Sequence, residues 1–376
     1  MIKSQSHIDK ELLLSAIALA EKGQFTCQPN PRVGCILTQD NDVIGKGWHH
    51  KSGEGHAEVN AIADAINNQQ VIQGATAYVS LEPCSFTGKT PPCVDALFDA
   101  GVSRVVCAGL DPNPRVSGKG LKILNDRGVI AEVSTDSDVL ERAEWLNRGF
   151  FKRMRHGLPW VMLKTASSID GRTADYQGKS QWITSSSSRE DVHALRAQSC
   201  AIITGSGTQQ ADNPTLNARL DSDIEVKQPL RVLLDSQCVV TANANIIGKD
   251  NNVLIFTINN DPKVLGKLEK NTSIQLVNSI NLDSVLTYLA GKEINFVMIE
   301  AGARLSGAFI EAGLVDEIVH YIAPSIIGSQ GRGMFDFSNS LSLDDKKTFM
   351  TRSVETLDED IKITFKRRTS NTSDTN

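Results

Sequence analysis

The sequence has no long hydrophobic run, no basic excess and no even set of cysteines, and each absence excludes a class of protein. No apolar stretch approaches the roughly 18 residues of a membrane span, and the first 23 residues lack the small-residue cleavage site of a signal peptide, so a cytoplasmic protein is expected. The 39 basic and 44 acidic side chains give a net charge of −5, which argues against a dedicated nucleic-acid binder. Seven cysteines in so long a chain argue against a disulfide framework.

What is present is a globular composition at a length that suggests two domains. Hydrophobic residues make up 40% of the chain and charged residues 22%, which excludes a disordered or fibrous protein. A length of 376 residues exceeds that of one ordinary domain. We expect domains at residues 1–148 and 149–369, followed by a frayed polar tail at 370–376.

Helix and strand patterns alternate along the first half. A helical pattern at 8–22 precedes the apolar strand VGCILTQ (33–39), and a second helical pattern at 56–68 precedes the strand ATAYVSL (75–81). Further short strands and helices follow to residue 148. Such alternation predicts an α/β domain whose sheet lies between helices.

The second half repeats this alternation after a break. The run at 147–159 is basic and ends in proline, which favours a solvated linker. The helix that follows is expected to start at a capping box formed by Ser187 and Glu190. A strand near residue 364 is expected to close the domain. The sequence therefore predicts a second α/β domain.

The most informative residues of the first half are His56, Glu58, Cys84 and Cys93. Zinc favours imidazole and thiolate ligands, and a catalytic zinc uses three protein ligands, with water in the fourth position. One histidine and two cysteines supply that number, each at the boundary of a predicted element. Glu58, two residues after His56, can face the water without being a ligand. The spacing predicts a catalytic zinc site.

This set resembles the zinc-dependent nucleobase deaminase signature, H-x-E followed by P-C-x-x-C, in which the glutamate shuttles protons. Here the eight residues SFTGKTPP separate the cysteines, where the signature has two. The alternatives are a chance H-x-E, buried packing cysteines, and a structural zinc, which would need a fourth protein ligand. Cys27 and Cys35 are expected to be packing residues.

Longer motifs extend the likeness to a family. GKGWHHKSGEGHAEVNAI, LEPCSFTGKTPPC and DPNPRVSGKG resemble the deaminase domain of the bifunctional riboflavin-biosynthesis deaminase–reductases, whose own form includes the long cysteine spacing. In the second half KTASSIDGRTA, SQWITS, HALRAQ, GSGTQQADNPTLNAR, LLDS and IEAG continue the resemblance. It spans residues 30–328.

The resemblance implies two reactions and two folds. A cytidine-deaminase-like three-layer α/β/α domain would use zinc to deaminate 2,5-diamino-6-(ribosylamino)pyrimidinone 5′-phosphate by hydrolysis. A dihydrofolate-reductase-like α/β domain would then use NADPH to reduce the ribosyl group to a ribityl chain. The expected partners are this small phosphorylated pyrimidine and further copies of the chain in a homo-oligomer, with neither nucleic acid nor a membrane.

The resemblance also implies roles for residues of the first half. The zinc ligands would be His56, Cys84 and Cys93, and Glu58 would be the catalytic proton shuttle. The deaminase substrate would contact Asn30, His49 and Lys89.

One position departs from the family. The residue after Cys-Ser is usually His, and in this chain it is Phe86. Phenylalanine cannot hydrogen-bond the substrate, although its ring can stack on a pyrimidine. The sequence leaves open whether this change is tolerated or weakens deamination. A single-activity enzyme, with one domain impaired or regulatory, is therefore the alternative to a bifunctional one.

The second half lacks the G-x-G-x-x-G fingerprint of Rossmann dinucleotide sites. Two other turns are candidates: Gly205-Ser-Gly207 after the strand CAIIT, and Glu300-Ala301-Gly302 after NFVMI. Small residues there allow the backbone to approach a phosphate, and a helix N-terminus offers free N–H groups. By resemblance the second turn is the pyrophosphate site, with Ala301 in place of the usual glycine.

The resemblance implies the remaining contacts. NADPH would contact Ala166, Trp182, Thr208, Asp212, Ser236, Gly302, Ala303, Arg304, Leu305, Ser306, Gly307 and Ala308. The reductase substrate would contact Ser180, Arg196, Leu216, Arg219 and Glu300. Arginine suits a ribose phosphate because guanidinium can grip phosphate with two parallel hydrogen bonds, although solvated surface charges are the alternative for Arg196 and Arg219. Lys164 is a candidate proton donor.

Overall fold

The computed structural model describes residues 4–87, 91–220, 226–248, 250, 252–268 and 272–368. The chain divides into two compact units, Met1–Leu158 and Pro159–Asn376, and both combine helices with a sheet, so the predicted two-domain α/β architecture is confirmed. Lys89 and the predicted tail at 370–376 lie outside the described residues. None of the described helices has the length and apolar character that crossing a membrane requires.

The first unit is built on one five-stranded sheet. Its elements in chain order are α1 (Gln5–Ala20), β1 (Gly34–Gln39), β2 (Asp42–Trp48), α2 (Ala57–Asn67), β3 (Thr76–Val79), α3 (Cys93–Asp99), β4 (Arg104–Cys107), α4 (Lys119–Asp126), β5 (Ile130–Val133), α5 (Ser137–Leu146) and α6 (Arg148–His156). The strand order is β2-β1-β3-β4-β5. The pairs β1–β2 and β1–β3 are antiparallel, whereas β3–β4 and β4–β5 are parallel.

Helix α2 packs unusually closely on this sheet, and small residues make that possible. A Cβ atom on Gly47 of β2 would lie 2.3 Å from the carbonyl oxygen of Ala57 and 2.3 Å from the amide nitrogen of Ala61. Ala57, Ala61 and Ala65 form the fully buried face of the helix. A larger residue at Gly47 would push the helix away. The contact therefore fixes the start of α2, where His56 and Glu58 lie.

The expected linker is instead helix α6. Phe150 and Phe151 are buried with Leu81 in a small cluster of their own, and Gly157 ends the helix with a left-handed φ of 68°. The interpretation as a solvated linker is wrong because these two phenylalanines, hidden among arginines and lysines in the sequence, give the segment an apolar face. The division between the units follows this helix.

The second unit is built on a nine-stranded sheet. Its elements in chain order are β6 (Trp160–Ser168), β7 (Arg172–Ala174), α7 (Ser186–Gln198), β8 (Ala201–Gly205), α8 (Ser206–Asp212), β9 (Leu230–Leu234), β10 (Val253–Thr257), α9 (Pro262–Leu265), β11 (Ser273–Leu276), α10 (Leu282–Gly291), β12 (Phe296–Ile299), α11 (Ala303–Glu311), β13 (Glu317–Ala323), β14 (Arg332–Gly333), β15 (Phe349–Leu357) and β16 (Asp360–Arg367). The strand order is β11-β10-β9-β8-β12-β6-β13-β16-β15, and β7 pairs with β14 in a separate small ribbon.

The first seven strands in this order are parallel, β16 is antiparallel to β13, and β15 is antiparallel to β16. Strands β10 and β12 are buried along their whole length, as expected for a parallel sheet covered on both faces. The carboxyl ends of parallel strands meet at one edge of a sheet, and in such folds ligands bind outside that edge.

Two details of the second unit differ from the sequence expectations. The residue that caps α7 is Ser185, whose hydroxyl accepts the Ser188 N–H at 3.2 Å. The capping box of Ser187 and Glu190 is wrong because the helix begins at Ser186, so Ser187 lies within its first turn. The closing strand near residue 364 is present as β16, and its partner β15, largely exposed, was not predicted.

Candidate functional sites

The three predicted zinc ligands lie together in the first unit. His56 immediately precedes α2, Cys93 begins α3, and Cys84 lies in the loop that follows β3. Nδ1 of His56 is 3.2 Å from Sγ of Cys93 and 3.5 Å from Sγ of Cys84, and all three ligand atoms lie within 4.8 Å of one another. Zinc binds sulfur at about 2.3 Å and imidazole nitrogen at about 2.0 Å. A single zinc ion therefore fits this donor set.

Their surroundings shift the pKa values of the two cysteines in opposite directions. Hydrogen bonding from the Cys93 thiol lowers the pKa of Cys84 to about 4, against the effect of burial, and His56 and the Cys93 N–H contribute. Sγ of Cys84 lies 3.3 Å from that N–H nitrogen. The same thiol contact raises the pKa of Cys93, as does burial. Cys84 is therefore disposed to be a thiolate, which is the form that ligates a metal.

Glu58 lies in the first turn of α2 beside these ligands. The residue is 2% exposed, and burial raises the pKa of its carboxyl group to about 7, with a contribution from the negative charge of Cys84. General acid–base catalysis is most effective when the pKa lies near the working pH. Glu58 can thus both accept and return a proton near neutrality.

Asn30 and His49, two of the predicted deaminase substrate contacts, lie within hydrogen-bonding distance of each other, and the His49 ring contacts the predicted zinc ligand His56. Nδ2 of Asn30 lies 3.0 Å from Nε2 of His49, and Nδ1 of His49 lies 3.2 Å from the Gly55 carbonyl oxygen. Because the amide donates, Nε2 accepts, and the His49 proton is on Nδ1. Burial lowers the pKa of His49, which agrees with this neutral form. Its ring meets the His56 ring edge-on at 5.2 Å.

Phe86, the departure from the family, is half-buried and has a cationic neighbour. The Cζ atom of Arg115 lies 4.2 Å from the centroid of its ring. One face of the ring is therefore covered by guanidinium, which leaves stacking on a pyrimidine to the other face.

In the second unit, four of the predicted cofactor contacts lie at, or shortly after, the ends of four strands. Ala166 lies near the end of β6, Thr208 lies in α8 just after β8, Ser236 follows β9, and Gly302 follows β12. The strands β9, β8, β12 and β6 are consecutive in the sheet. Oγ1 of Thr208 accepts the Gly302 N–H at 3.0 Å. The four segments thus lie along one edge, where such sheets bind ligands.

The predicted run from Gly302 to Ala308 is the start of α11. Gly302 is the residue before the helix, so the N–H groups of the first turn are not used within the helix. Ser306 and Gly307 face the interior. A Cβ atom at Gly307 would lie 2.2 Å from the Asp336 carbonyl oxygen, which explains the glycine. Arg304 is exposed. The free end of the helix, with its favourable dipole, suits a pyrophosphate.

A group of charged side chains lies at the same edge. Arg196 donates to both carboxylate oxygens of Glu300, at 2.9 and 2.6 Å, and to the Asn217 carbonyl oxygen at 3.3 Å. The two parallel hydrogen bonds that Arg196 is predicted to make to a phosphate are thus made to Glu300 in this structure. Burial raises the pKa of Glu300, but the charges of Arg196 and Lys164 outweigh it and lower that pKa to about 2. Burial also lowers the pKa of Lys164.

Sequence reasoning missed His193, whose Nε2 lies 3.2 Å from Nη2 of Arg219. Arginine always donates, so His193 accepts at Nε2. His193 and Arg196 are three residues apart in HALRAQ and share one face of α7. That spacing is the signal that could have identified His193.

The remaining predicted contacts are less closely grouped. Oγ of Ser180 lies 3.4 Å from an oxygen of Asp212. Trp182 is 71% exposed and lies beneath the Arg189 guanidinium at 4.7 Å. Leu216 has a left-handed φ of 50° and is buried in the core, so a ligand would meet its backbone rather than its side chain.

Two family profiles match the two halves of the chain. Residues 6–109 match the cytidine and deoxycytidylate deaminase zinc-binding region, and residues 159–363 match the RibD C-terminal domain. The riboflavin biosynthesis protein RibD of Haemophilus influenzae is 42% identical over 361 residues, which cover 93% of this chain and 95% of that protein. The Escherichia coli protein of the same name is 41% identical and covers 94% and 98%. The chain belongs to the RibD family.

Solved structures of RibD proteins agree in fold over 97% of this chain. Acinetobacter baumannii RibD superimposes with a TM-score of 0.89 at 39% identity, over 97% of this chain and 100% of that one. A Thermotoga maritima protein described as a diaminohydroxyphosphoribosylaminopyrimidine deaminase and 5-amino-6-(5-phosphoribosylamino)uracil reductase gives 0.87 at 30% identity, with the same coverage.

The predicted function is confirmed by these matches. The chain is a bifunctional deaminase and reductase of riboflavin biosynthesis, with zinc and NADPH as its cofactors. The single-activity alternative is not favoured, because both halves match a family region.

Proposed function

We propose that the first unit removes the 2-amino group of 2,5-diamino-6-(ribosylamino)pyrimidinone 5′-phosphate, with His56, Cys84 and Cys93 as the zinc ligands. The observation that carries this proposal is the convergence of the three ligand atoms within 4.8 Å. Within the described residues this group has three members, whereas a structural zinc would want a fourth protein ligand. Zinc supplies Lewis-acid chemistry, which lets water lose a proton near neutral pH.

Glu58 is the proton carrier of this reaction. With a pKa of about 7, its carboxylate accepts the proton that the attacking water loses and then returns it to the leaving amine. One group thus acts as base and then as acid. Burial of Glu58 keeps bulk water from competing for that proton.

Asn30 and His49 bind and orient the pyrimidinone. An amide N–H of Asn30 donates to His49, so the carbonyl oxygen of Asn30 can accept a hydrogen bond from a ring N–H or amino group of the substrate. The Gly55 carbonyl fixes the His49 ring in turn. Lys89 is proposed to hold the 5′-phosphate as a point charge.

The second unit reduces the ribosyl group, with NADPH at the carboxyl edge of its sheet. NADPH supplies the hydride, and the protein mainly contributes positioning. The start of α11 and the Thr208 hydroxyl hold the pyrophosphate, and the remaining cofactor contacts are Ala166, Trp182, Asp212 and Ser236. Arg219, which His193 orients, holds the substrate phosphate.

Arg196 and Glu300 act as one unit in this reductase site. Because Glu300 stays ionised beside Arg196 and Lys164, it is a fixed acceptor for the hydroxyl groups of the sugar. Ser180 and the Leu216 backbone complete the substrate contacts. Lys164, whose pKa is lowered by burial, is the proposed proton donor.

The deaminase occupies the first unit and the reductase the second, so that the functional boundary follows α6 rather than residue 148. The matched family regions, 6–109 and 159–363, fall on either side of that boundary. A homo-oligomer and a cytoplasmic location remain part of the proposal.

The test is to assay both half-reactions on the purified chain. Ammonia release from the diamino substrate and NADPH oxidation with the deaminated intermediate should both proceed. NADPH oxidation without ammonia release would support an impaired deaminase, for which Phe86 is the candidate cause. The absence of both would contradict the proposed function.

A further inference from the structure

The carboxylate of Glu82 is buried and surrounded by backbone N–H groups. Its Oε1 accepts the N–H groups of Gly120 and Leu121 at 3.0 and 3.4 Å, and its Oε2 accepts those of Asp111 and Gly118 at 3.2 and 2.9 Å. The residue is 3% exposed. All four donors belong to the segment 111–121, which comprises part of the loop after β4 and the first residues of α4. A single side chain thus fastens that entire segment.

The neighbouring residue makes a second attachment. A Cβ atom on Gly120 would lie 2.3 Å from the Pro83 carbonyl oxygen, so the backbone at Pro83 lies directly against this glycine. The Glu82 N–H also donates to the Gly109 carbonyl oxygen at 2.9 Å. Residues 82 and 83 are therefore fixed on both sides.

The third attachment is the pair of Phe86 and Arg115, 4.2 Å apart. Arg115 lies within the same segment, which is stiffened by its own turns: the Asp111 side chain accepts the Asn113 N–H at 2.8 Å, and the Asn113 side chain accepts the Arg115 N–H at 3.1 Å. Contacts to one stiff segment are thus made at Glu82, Pro83 and Phe86, on both sides of Cys84.

Cys84 is the one predicted zinc ligand that neither begins nor directly precedes a helix. His56 and Cys93 take their places from α2 and α3, whereas Cys84 lies in an irregular loop. Its own local support is from α3, where the Val94 N–H donates to its carbonyl oxygen and the Cys93 N–H to its sulfur, both at 3.3 Å. The place of its sulfur therefore depends on how residues 82–86 are held.

We propose that Glu82 is a positioning residue of the zinc centre, which fixes the thiolate of Cys84 by anchoring its loop to the segment 111–121. The proposal rests on the zinc assignment above. Replacing a residue that contacts and orients a metal ligand, without itself binding the metal, typically lowers metal affinity by about 10- to 100-fold.

The test is Glu82→Gln. Glutamine has the same shape but one acceptor oxygen, so its NH₂ group would face two N–H donors. Zinc loss to a chelator should be about 10-fold faster than in the unchanged protein. In the Co²⁺-substituted protein, the intensity of the thiolate-to-metal absorption should fall as the sulfur moves. NADPH oxidation with the deaminated intermediate should be unchanged, because it belongs to the second unit.

The matched control is Asp9→Asn, which should lower the stability of the first unit by weakening hydrogen bonds away from the zinc ligands. Asp9 accepts two hydrogen bonds from Arg104, at 2.9 and 2.7 Å, one from Tyr78 at 2.8 Å and one from Gln5 at 2.8 Å, and none of these partners lies in the segment 111–121. Equal zinc loss in both variants would mean that Glu82 acts through general stability, and would overturn the proposal. So would an unchanged zinc off-rate and Co²⁺ spectrum in Glu82→Gln.

A second variant keeps the test decisive if Glu82→Gln does not fold. Glu82→Asp retains both oxygens but is too short to reach both pairs of donors, so zinc loss should be faster by a smaller factor. Zinc release no faster than in the unchanged protein would again overturn the proposal. If the unchanged protein itself binds no zinc, the proposed function fails, and that outcome is distinct from failure of the positioning role.

Discussion

The two candidate sites are built in different ways, and the difference determines how each should respond to mutation. In the first unit, side chains touch one another: His56, Cys84 and Cys93 lie within 4.8 Å, with the buried Glu58 beside them. In the second, backbone segments at the ends of four adjacent strands define a long edge. Replacing one side chain of the first site should therefore abolish most of its activity. Replacing one residue along the edge of the second sheet should reduce the activity of that site only in part.

The largest expected effect is that of Glu58→Gln. The amide cannot accept a proton, so ammonia release should fall by about 10³-fold, while the zinc content and NADPH oxidation remain unchanged. Ammonia release, bound zinc and NADPH oxidation should be measured on one preparation. The exposed Glu141→Gln on α5 is the matched control, expected to behave as the unchanged protein. Loss of zinc from the Glu58 variant would mean that this glutamate helps to bind the metal, and would contradict its role as proton carrier.

Arg196→Ala should give a smaller, graded loss confined to the other site. Removing two charge-assisted hydrogen bonds leaves the Glu300 carboxylate without its partner, so kcat/KM for the reduction should fall by about 100-fold. Ammonia release should be unaffected. The control is Arg352→Ala on the exposed strand β15, which should change neither rate. A parallel fall in deamination would contradict two separate sites.

The Glu300 ion pair also makes a prediction about pH. Its pKa of about 2 lies below the ordinary value of 4.5. A carboxyl group with a lowered folded-state pKa stabilises the fold above pH 4.5 and loses that effect as the pH falls toward 2. The difference in unfolding free energy between the unchanged protein and Glu300→Gln should be greatest above pH 5, at about 3 kcal/mol, and should shrink below pH 4. Unfolding titrations of both proteins from pH 3 to 7 check this, and a difference that grows on acidification would refute it.

The smallest expected effect concerns Phe86. If the ring serves mainly as a support for Arg115, then Phe86→Ala removes a contact of about 0.5–1 kcal/mol, and kcat/KM for deamination should fall by no more than about fivefold. Phe98→Ala is a matched control, because Arg127 lies 5.3 Å over that ring in the same unit. A loss as large as that of Glu58→Gln would instead make Phe86 a direct substrate contact.

The same contrast explains what the sequence could predict. The side chains of His, Cys and Glu themselves indicate metal binding and proton transfer, so the zinc set is recognisable from the sequence alone. The second site has no glycine fingerprint, and its segments come together only because β9, β8, β12 and β6 are neighbours in the sheet. That order cannot be read from strand patterns, so the residues of this edge came from family resemblance.

The missed elements have local physical reasons. Strand β2 contains two glycines and a lysine in DVIGKGW, and it is reached through a tight turn at Asp40 and Asn41, both with positive φ. Helix α6 is not predicted because its many basic residues resemble those of a solvated linker. The role of Glu82 depends on four backbone N–H groups distant in sequence, and no spacing rule indicates such a contact.

The most direct test of two independent sites on one chain is to remove the zinc and return it. Zinc per chain, ammonia release and NADPH oxidation should be followed on a single preparation before chelation, after it, and after zinc is added back. We predict that ammonia release disappears with the zinc and recovers with it, while NADPH oxidation of the deaminated intermediate stays constant throughout. Deamination that survives complete zinc removal, or reduction that is lost along with it, would contradict the account.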